Sequence, residues 1–178
     1  MRVIAGHWRG RGLVAPKGAT TRPTADRTRE ALFSMLASRL GSFEGLAVAD
    51  LFAGSGALGI EALSRGAGSC VFVEQDRDAL DALRANLRTL GAVGDVRATS
   101  VLALGPVPAP LDLVIMDPPY TTGAGAVALH RLARLGWTGP ATWVAIETAR
   151  DESVEVAGFA VDAERGHGKA RITLLRAT

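Results

Sequence analysis

From residue 46 onward this chain alternates short apolar runs with helical patterns, and few architectures accept that order. Residues 47–52 are apolar apart from Asp50, residues 58–65 carry helical spacing that Gly66 ends, and residues 69–74 read as a strand. Residues 76–90 set Leu80, Leu83, Leu87 and Leu90 on one helical face and stop at Gly91. A strand over 93–100, a strand over 111–117, a helix over 124–135 and a strand over 142–147 continue the series. Repeated strand–helix units imply an α/β fold with a doubly wound, mostly parallel sheet and right-handed crossovers. Residues 153–162 and 169–176 read as two further strands joined across Gly166-His167-Gly168. They predict an antiparallel C-terminal hairpin at the edge of that sheet.

Ahead of the alternation lies a different kind of sequence. Residues 3–5 and 13–15 are apolar and flank the basic, glycine-rich Gly6-His7-Trp8-Arg9-Gly10-Arg11-Gly12, which predicts an N-terminal β-hairpin over 1–16. A turn-rich linker follows, and Thr24 is placed to cap a helix reaching about residue 40, where Gly41 stops it. Charge divides the chain in the same region. Residues 1–29 hold seven basic groups against Asp26 alone, a net of +6, while the remainder holds 13 basic and 17 acidic groups, a net of −4. A basic arm on a mildly acidic body predicts a polyanionic partner met from one end. The organisation expected is a basic extension over 1–23 and one main domain over 24–178. No run approaches the ~18 apolar residues of a membrane helix. Cys70 is the only cysteine, which excludes internal disulfides and cysteine-based metal sites and suits a reduced, cytoplasmic setting, with Cys70 itself a small core residue.

Two segments carry chemistry. The first strand runs into Asp50-Leu51-Phe52-Ala53-Gly54-Ser55-Gly56-Ala57-Leu58-Gly59, a glycine-rich turn opening a helix. Gly54 and Gly56 would let a ligand approach the backbone, and the helix N-terminus offers free amide donors. Glu74 ends the next strand, where an acid can accept both hydroxyls of a ribose. This pattern serves a dinucleotide or an S-adenosylmethionine cofactor. Asp50 favours the latter, because a carboxylate repels a pyrophosphate and tolerates a sulfonium amino acid. The second segment is Asp117-Pro118-Pro119-Tyr120, where two prolines end an apolar strand. Its carboxylate and the Pro118 carbonyl can accept both hydrogens of a planar amine while Tyr120 stacks on the ring that bears it. Hydride transfer has no use for such a clamp.

These two motifs resemble the cofactor and catalytic motifs of class I amino-methyltransferases, a Rossmann-like fold. Arg2-Val3-Ile4-Ala5-Gly6, Arg9-Gly10-Arg11, Arg22-Pro23-Thr24 and Arg29-Glu30-Ala31-Leu32-Phe33 narrow the resemblance to the RsmD family. The resemblance covers nearly the whole chain and implies methyl transfer from S-adenosylmethionine to guanine N2 of 16S ribosomal RNA, free or within an assembling or assembled small subunit. It implies Asp117, Pro118 and Tyr120 as catalytic residues, and Asp50, Phe52, Ala53, Gly54, Ser55, Gly56, Glu74 and Ser100 as cofactor contacts. Arg2, Arg9, Arg11, Arg22 and Arg29 become RNA contacts, and no metal or membrane is called for. Where the family often carries an acidic residue near the end of the third strand, this chain reads Ala98-Thr99-Ser100, so Ser100 stands in. His7 and His167 are expected to be surface or satisfied histidines. Two rival readings are an adenine-N6 DNA methyltransferase, which shares Asp-Pro-Pro-Tyr, and a non-catalytic RNA-binding assembly factor. The first lacks an obvious target-recognition insertion here, and the intact motifs argue against the second.

Overall fold

The computed structural model describes residues 1–18 and 23–178, with side chains in the second stretch described from residue 25. Five strands run parallel: β1 (Ala47–Leu51), β2 (Ser69–Glu74), β3 (Asp95–Ala98), β4 (Leu113–Met116) and β5 (Trp143–Ala149). Two more, β6 (Phe159–His167) and β7 (Ala170–Ala177), run antiparallel, and the seven lie in the order β3-β2-β1-β4-β5-β7-β6. Four helices connect them: α1 (Pro23–Leu40), α2 (Ala57–Ser64), α3 (Arg77–Leu90) and α4 (Ala124–Arg134). β4 is buried at every position, as expected of a strand flanked by parallel neighbours and covered on both faces.

The two faces of the sheet have separate cores. Val48, Leu113 and Ile115 point towards α1, α2 and α3, while Leu51, Val114 and Met116 point towards α4. The chain therefore winds one way from β1 to β3 and the other way from β4 to β5. The gap between β1 and β4 is the switch point, where the carboxyl ends of an open α/β sheet accept ligands. α3 shows how local signals hold this frame. The Asp76 side chain accepts the Ala79 N–H at 2.9 Å, Gly91 closes the helix at φ 65°, and Leu80, Leu83, Leu87 and Leu90 are all buried.

Three expectations shift. The terminal hairpin adds its two antiparallel strands at the β5 edge as expected, β7 inside and β6 outermost, but its boundaries differ. β6 starts at Phe159 rather than near 153 and carries an irregularity between Val161 and Ala163. Its exposed, charge-rich face leaves no apolar alternation to read. Helix α1 begins at Pro23, one residue before Thr24, in keeping with the preference of proline for the first helical position.

The N-terminal hairpin is the third. It forms, but stays short of strand length: an antiparallel bridge joins Arg2 and Gly12, with Val3 N–H donating to the Arg11 carbonyl at 2.9 Å, Leu13 N–H to the Met1 carbonyl at 3.0 Å and Gly10 N–H to the Val3 carbonyl at 2.9 Å. Ile4 and Ala5 donate their N–H groups to the two carboxylate oxygens of Glu61 on α2, at 2.8 and 3.0 Å. Glu61 is fully buried and also accepts from Arg65 Nε at 2.9 Å. The segment is docked, and its Val3 and Leu13 join the same core as α1, α2 and α3.

Candidate active site

The Gly-rich turn is built from unequal glycines. Gly56 caps α2 in the left-handed region at φ 80°, and a Cβ there would meet Leu83 Cδ1 at 2.3 Å. At Gly59 a Cβ would meet Phe72 Cε1 at 2.4 Å, so this glycine lets α2 lie close on β2. Only Gly54, at φ 56°, has nothing within 4 Å of a built Cβ. Gly56 was expected to admit a ligand, but it faces α3, and Gly54 alone opens to solvent. Phe52, just before, is a rare non-glycine residue at positive φ, 59°.

Asp50 is likewise a correction. It was expected to touch the cofactor, but it is fully buried beneath the turn and lines neither cleft described below. Its Oδ2 accepts the Gly59 N–H at 2.8 Å, supplying from β1 the cap that Gly56 has no side chain to give. Burial pushes the Asp50 carboxyl well above the ordinary carboxylate range, with Asp117 and Glu74 adding to the shift and the Gly59 N–H opposing it.

Two clefts meet over the switch point. The larger, about 540 Å³, is lined by Phe52, Glu74, Ser100, Asp117, Pro118 and Tyr120 among others. The smaller, about 190 Å³, is lined by the turn residues Phe52 to Ser55 and by Arg29, Asp117 and Glu147. Phe52 and Asp117 belong to both. Glu74 has a second task here: its carboxylate accepts the N–H groups of Gly54, Gln75 and Asp76, each at 2.8 Å. A carboxylate has about four acceptor positions, so one remains for a ligand hydroxyl rather than two. Ser100 accepts the Leu102 N–H at 3.2 Å and still faces the larger cleft.

At the other end, Asp117 follows β4 and its N–H donates to the Leu51 carbonyl at 3.4 Å. Its residue surface is exposed to the cleft, while protein crowds its inner side. That partial desolvation, with the charge of Glu147, raises its carboxyl above the ordinary range, by less than full burial would. The Tyr120 hydroxyl donates to Glu147 Oε1. Burial and this acceptor push the Tyr120 phenol upwards. The loop after Tyr120 is clipped by Glu152, which accepts the Thr121 N–H at 2.7 Å and the Gly123 N–H at 3.3 Å.

The arginines separate. Arg2, Arg9 and Arg11 are exposed, and Arg2, Arg9 and Arg27 line a polar cleft of about 490 Å³ beside the docked segment. Arg22 lies outside the described residues. Arg29 departs from the RNA-contacting set: it is 5% exposed and donates to the Arg2 carbonyl and to Asp26 Oδ1, the latter at 3.2 Å. Helical spacing could have placed it, since Leu32, Phe33 and Leu36 share its face of α1 and are all buried. His167 is satisfied by Thr28, Oγ1 to Nδ1 at 3.2 Å, and His7 is an exposed residue stacked edge-on to Trp8 at 5.5 Å. Sequence reasoning missed Glu147, whose only signal was its place at the end of the apolar run 142–147.

Residues 1–176 match the family model described as "Conserved hypothetical protein 95". The chain is 38% identical over 150 residues to the Ribosomal RNA small subunit methyltransferase D of Escherichia coli K12, covering 83% of this chain and 74% of that protein. It is 37% identical to the protein of the same name from Haemophilus influenzae, covering 85% and 80%. The solved structure of yhhF from Escherichia coli superposes with a TM-score of 0.86 at 32% identity, over 99% of this chain and 97% of that one. The clefts at the β1/β4 switch point thus sit in a methyltransferase framework, and the chain belongs to this family, that of the ribosomal RNA small subunit methyltransferases D.

Proposed function

We propose that this protein transfers a methyl group from S-adenosylmethionine to the exocyclic N2 amine of a guanine in small-subunit (16S) ribosomal RNA. The observation that carries the reading is the meeting of the two clefts at Asp117, with ribose-type acceptors at one end and the Asp-Pro-Pro-Tyr clamp at the other. The names of the relatives support the substrate. The cofactor suits the residues present: Gly54 leaves open space, Glu74 keeps an acceptor, and the N-terminal turn of α2 faces the smaller cleft. When bound, S-adenosylmethionine supplies a methyl group already activated on a positively charged sulfur.

The chain's own residues then position the acceptor. Glu74 and Ser100 would hold the nucleoside end of the cofactor, and Phe52, Ala53, Gly54 and Ser55 would border its amino-acid end. The target guanine leaves its stack to enter and lies against Tyr120. The Asp117 carboxylate and the Pro118 carbonyl accept the two N2 hydrogens, which draws the nitrogen lone pair out of conjugation and aims it at the methyl carbon. Methylation of N2 would release one proton, which the Asp117 carboxylate is placed to take. Positioning of this kind is worth up to ~7–11 kcal/mol. Arg2, Arg9, Arg11 and Arg22 engage RNA phosphates, so residues 1–23 act as the RNA-facing extension of the methyltransferase unit over 24–178, and the work is done in the cytoplasm. Tritiated-methyl transfer to unmodified 16S RNA, small subunits and duplex DNA, followed by nucleoside mass analysis, tests the proposal. N2-methylguanosine from an RNA substrate is expected; N6-methyladenosine or no product would refute it.

A further inference from the structure

A clamp for a single amine needs one carboxylate, yet two stand together here. β4 and β5 pair up to Met116↔Ile146, so Asp117, the first residue past β4, comes beside Glu147, which is still in β5 and paired there with Ile172 of β7. Both carboxylates line the smaller cleft. Two adjacent carboxylates repel one another, and the charge of Glu147 adds to the upward shift of Asp117, while Glu147 itself is half-buried. Of its oxygens, Oε1 accepts the Tyr120 hydroxyl, and no described hydrogen bond engages Oε2.

Resting on the guanine-N2 reading above, we propose that Glu147 is the residue that selects guanine, with Oε2 accepting the N1–H beside the N2 amine. The chemistry of the bases favours this assignment. Guanine presents two neighbouring donors, the N2 amine and N1–H, so each of two neighbouring acceptors finds a partner. Adenine presents one amine flanked by the N1 lone pair, which a second carboxylate repels. A site built to hydrogen-bond a substrate N–H rejects an analogue lacking it far more strongly than an apolar pocket rejects a change of size. The Tyr120 hydroxyl occupies Oε1 and leaves Oε2 for the base, and a carboxylate freed of that hydroxyl still offers an oxygen to N1–H.

The test uses the full chain and the RNA whose methylated guanosine has been located by mass mapping. By splinted ligation that guanosine is replaced with 2-aminopurine riboside, which keeps the N2 amine, exchanges N1–H for a lone pair and carries a hydrogen in place of O6, so that no new donor is added. The wild type should prefer guanosine by at least on the order of 100-fold in kcat/KM. Glu147→Gln turns an amide N–H to the base, because Tyr120 occupies the oxygen, and should shift the preference at least tenfold towards 2-aminopurine. Glu147→Ala, which carries the test if Glu147→Gln does not fold, should erode the preference without reversing it. Tyr120→Phe should slow the reaction on both substrates and keep their ratio. Equal ratios in the wild type and the Glu147 variants would overturn the proposal, as would loss of the preference in Tyr120→Phe, which would make Glu147 only a prop for the ring. A wild type that yields no N2-methylguanosine refutes the guanine reading itself, a separate result.

Discussion

Replacing Arg9 and Arg27 together with alanine tests whether the basic arm contacts RNA. Both are exposed, both line the cleft beside the docked segment, and neither makes an ion pair among the described residues. If each neutralises one phosphate, the loss of two contacts flattens the dependence of log affinity on log salt by about 1.4 on single-stranded RNA, or about 1.8 on a duplex. Across a fourfold rise in salt, the ratio of wild-type to variant affinity should then shrink by about 7-fold on a single strand or about 12-fold on a duplex. Fluorescence anisotropy over a salt series, with a 16S RNA fragment, measures both slopes. Neither residue lines the two clefts at the switch point, so affinity for S-adenosylhomocysteine should not change. Equal affinities and parallel slopes would refute the assignment and leave these arginines as solvated surface.

Asp117→Ala should reduce methyl transfer at least tenfold, ~1.4 kcal/mol, while S-adenosylhomocysteine binding by calorimetry stays within a few-fold; retained activity would remove the amine clamp. The rate should also rise with pH through the raised ionisation of the Asp117–Glu147 pair, because the charged form is the better acceptor. In Gly59→Ala the new Cβ meets Phe72 and Cys70 Sγ at 2.4 and 2.7 Å, and overpacking of about 1–3 kcal/mol should lower Tm by about 2–12 °C; an unchanged melting curve would contradict the close packing of α2 on β2. Asp50 keeps its proton in the folded state at pH values where the unfolded chain has lost it, so its contribution is complete below the ordinary Asp range and is lost as pH rises through the shifted value. Asp50→Asn, with its amide oxygen left for Gly59, should therefore lose less Tm than the wild type between mildly acidic and alkaline pH, as followed by circular dichroism.

The sheet was legible wherever a strand is buried on both faces. β1, β2, β4 and β5 are near-continuous apolar runs, and helix α3 announces itself through four leucines and a glycine stop. Legibility failed where one group answers to a distant partner. Glu61 fixes where the hairpin docks by accepting N–H groups of Ile4 and Ala5, and it sits on α2, nearly sixty residues away. Glu74 was read as a ribose acceptor, but three backbone donors reach it first. Counting charge along the chain assigned Arg29 to the arm, whereas the apolar face of α1 carries it inwards. The Asp-Pro-Pro-Tyr segment was readable as a strand end because proline, carboxylate and aromatic ring are consecutive; the nearness of Glu147 to it was not, because it depends on the register of β4 against β5.

The two borders of the sheet bear on how the protein behaves in crowded solution. An open strand edge is an invitation to pair with another chain. On one side β3 is only four residues long and carries Asp95 and Arg97, which pair with each other at 3.0 Å. On the other, β6 is long, but its ladder is interrupted at Asp162, and that side chain is tied sideways to Arg39 at 3.0 Å. A strand offered to either border meets a short row or a broken one, dressed with charge. That arrangement discourages sheet-to-sheet growth.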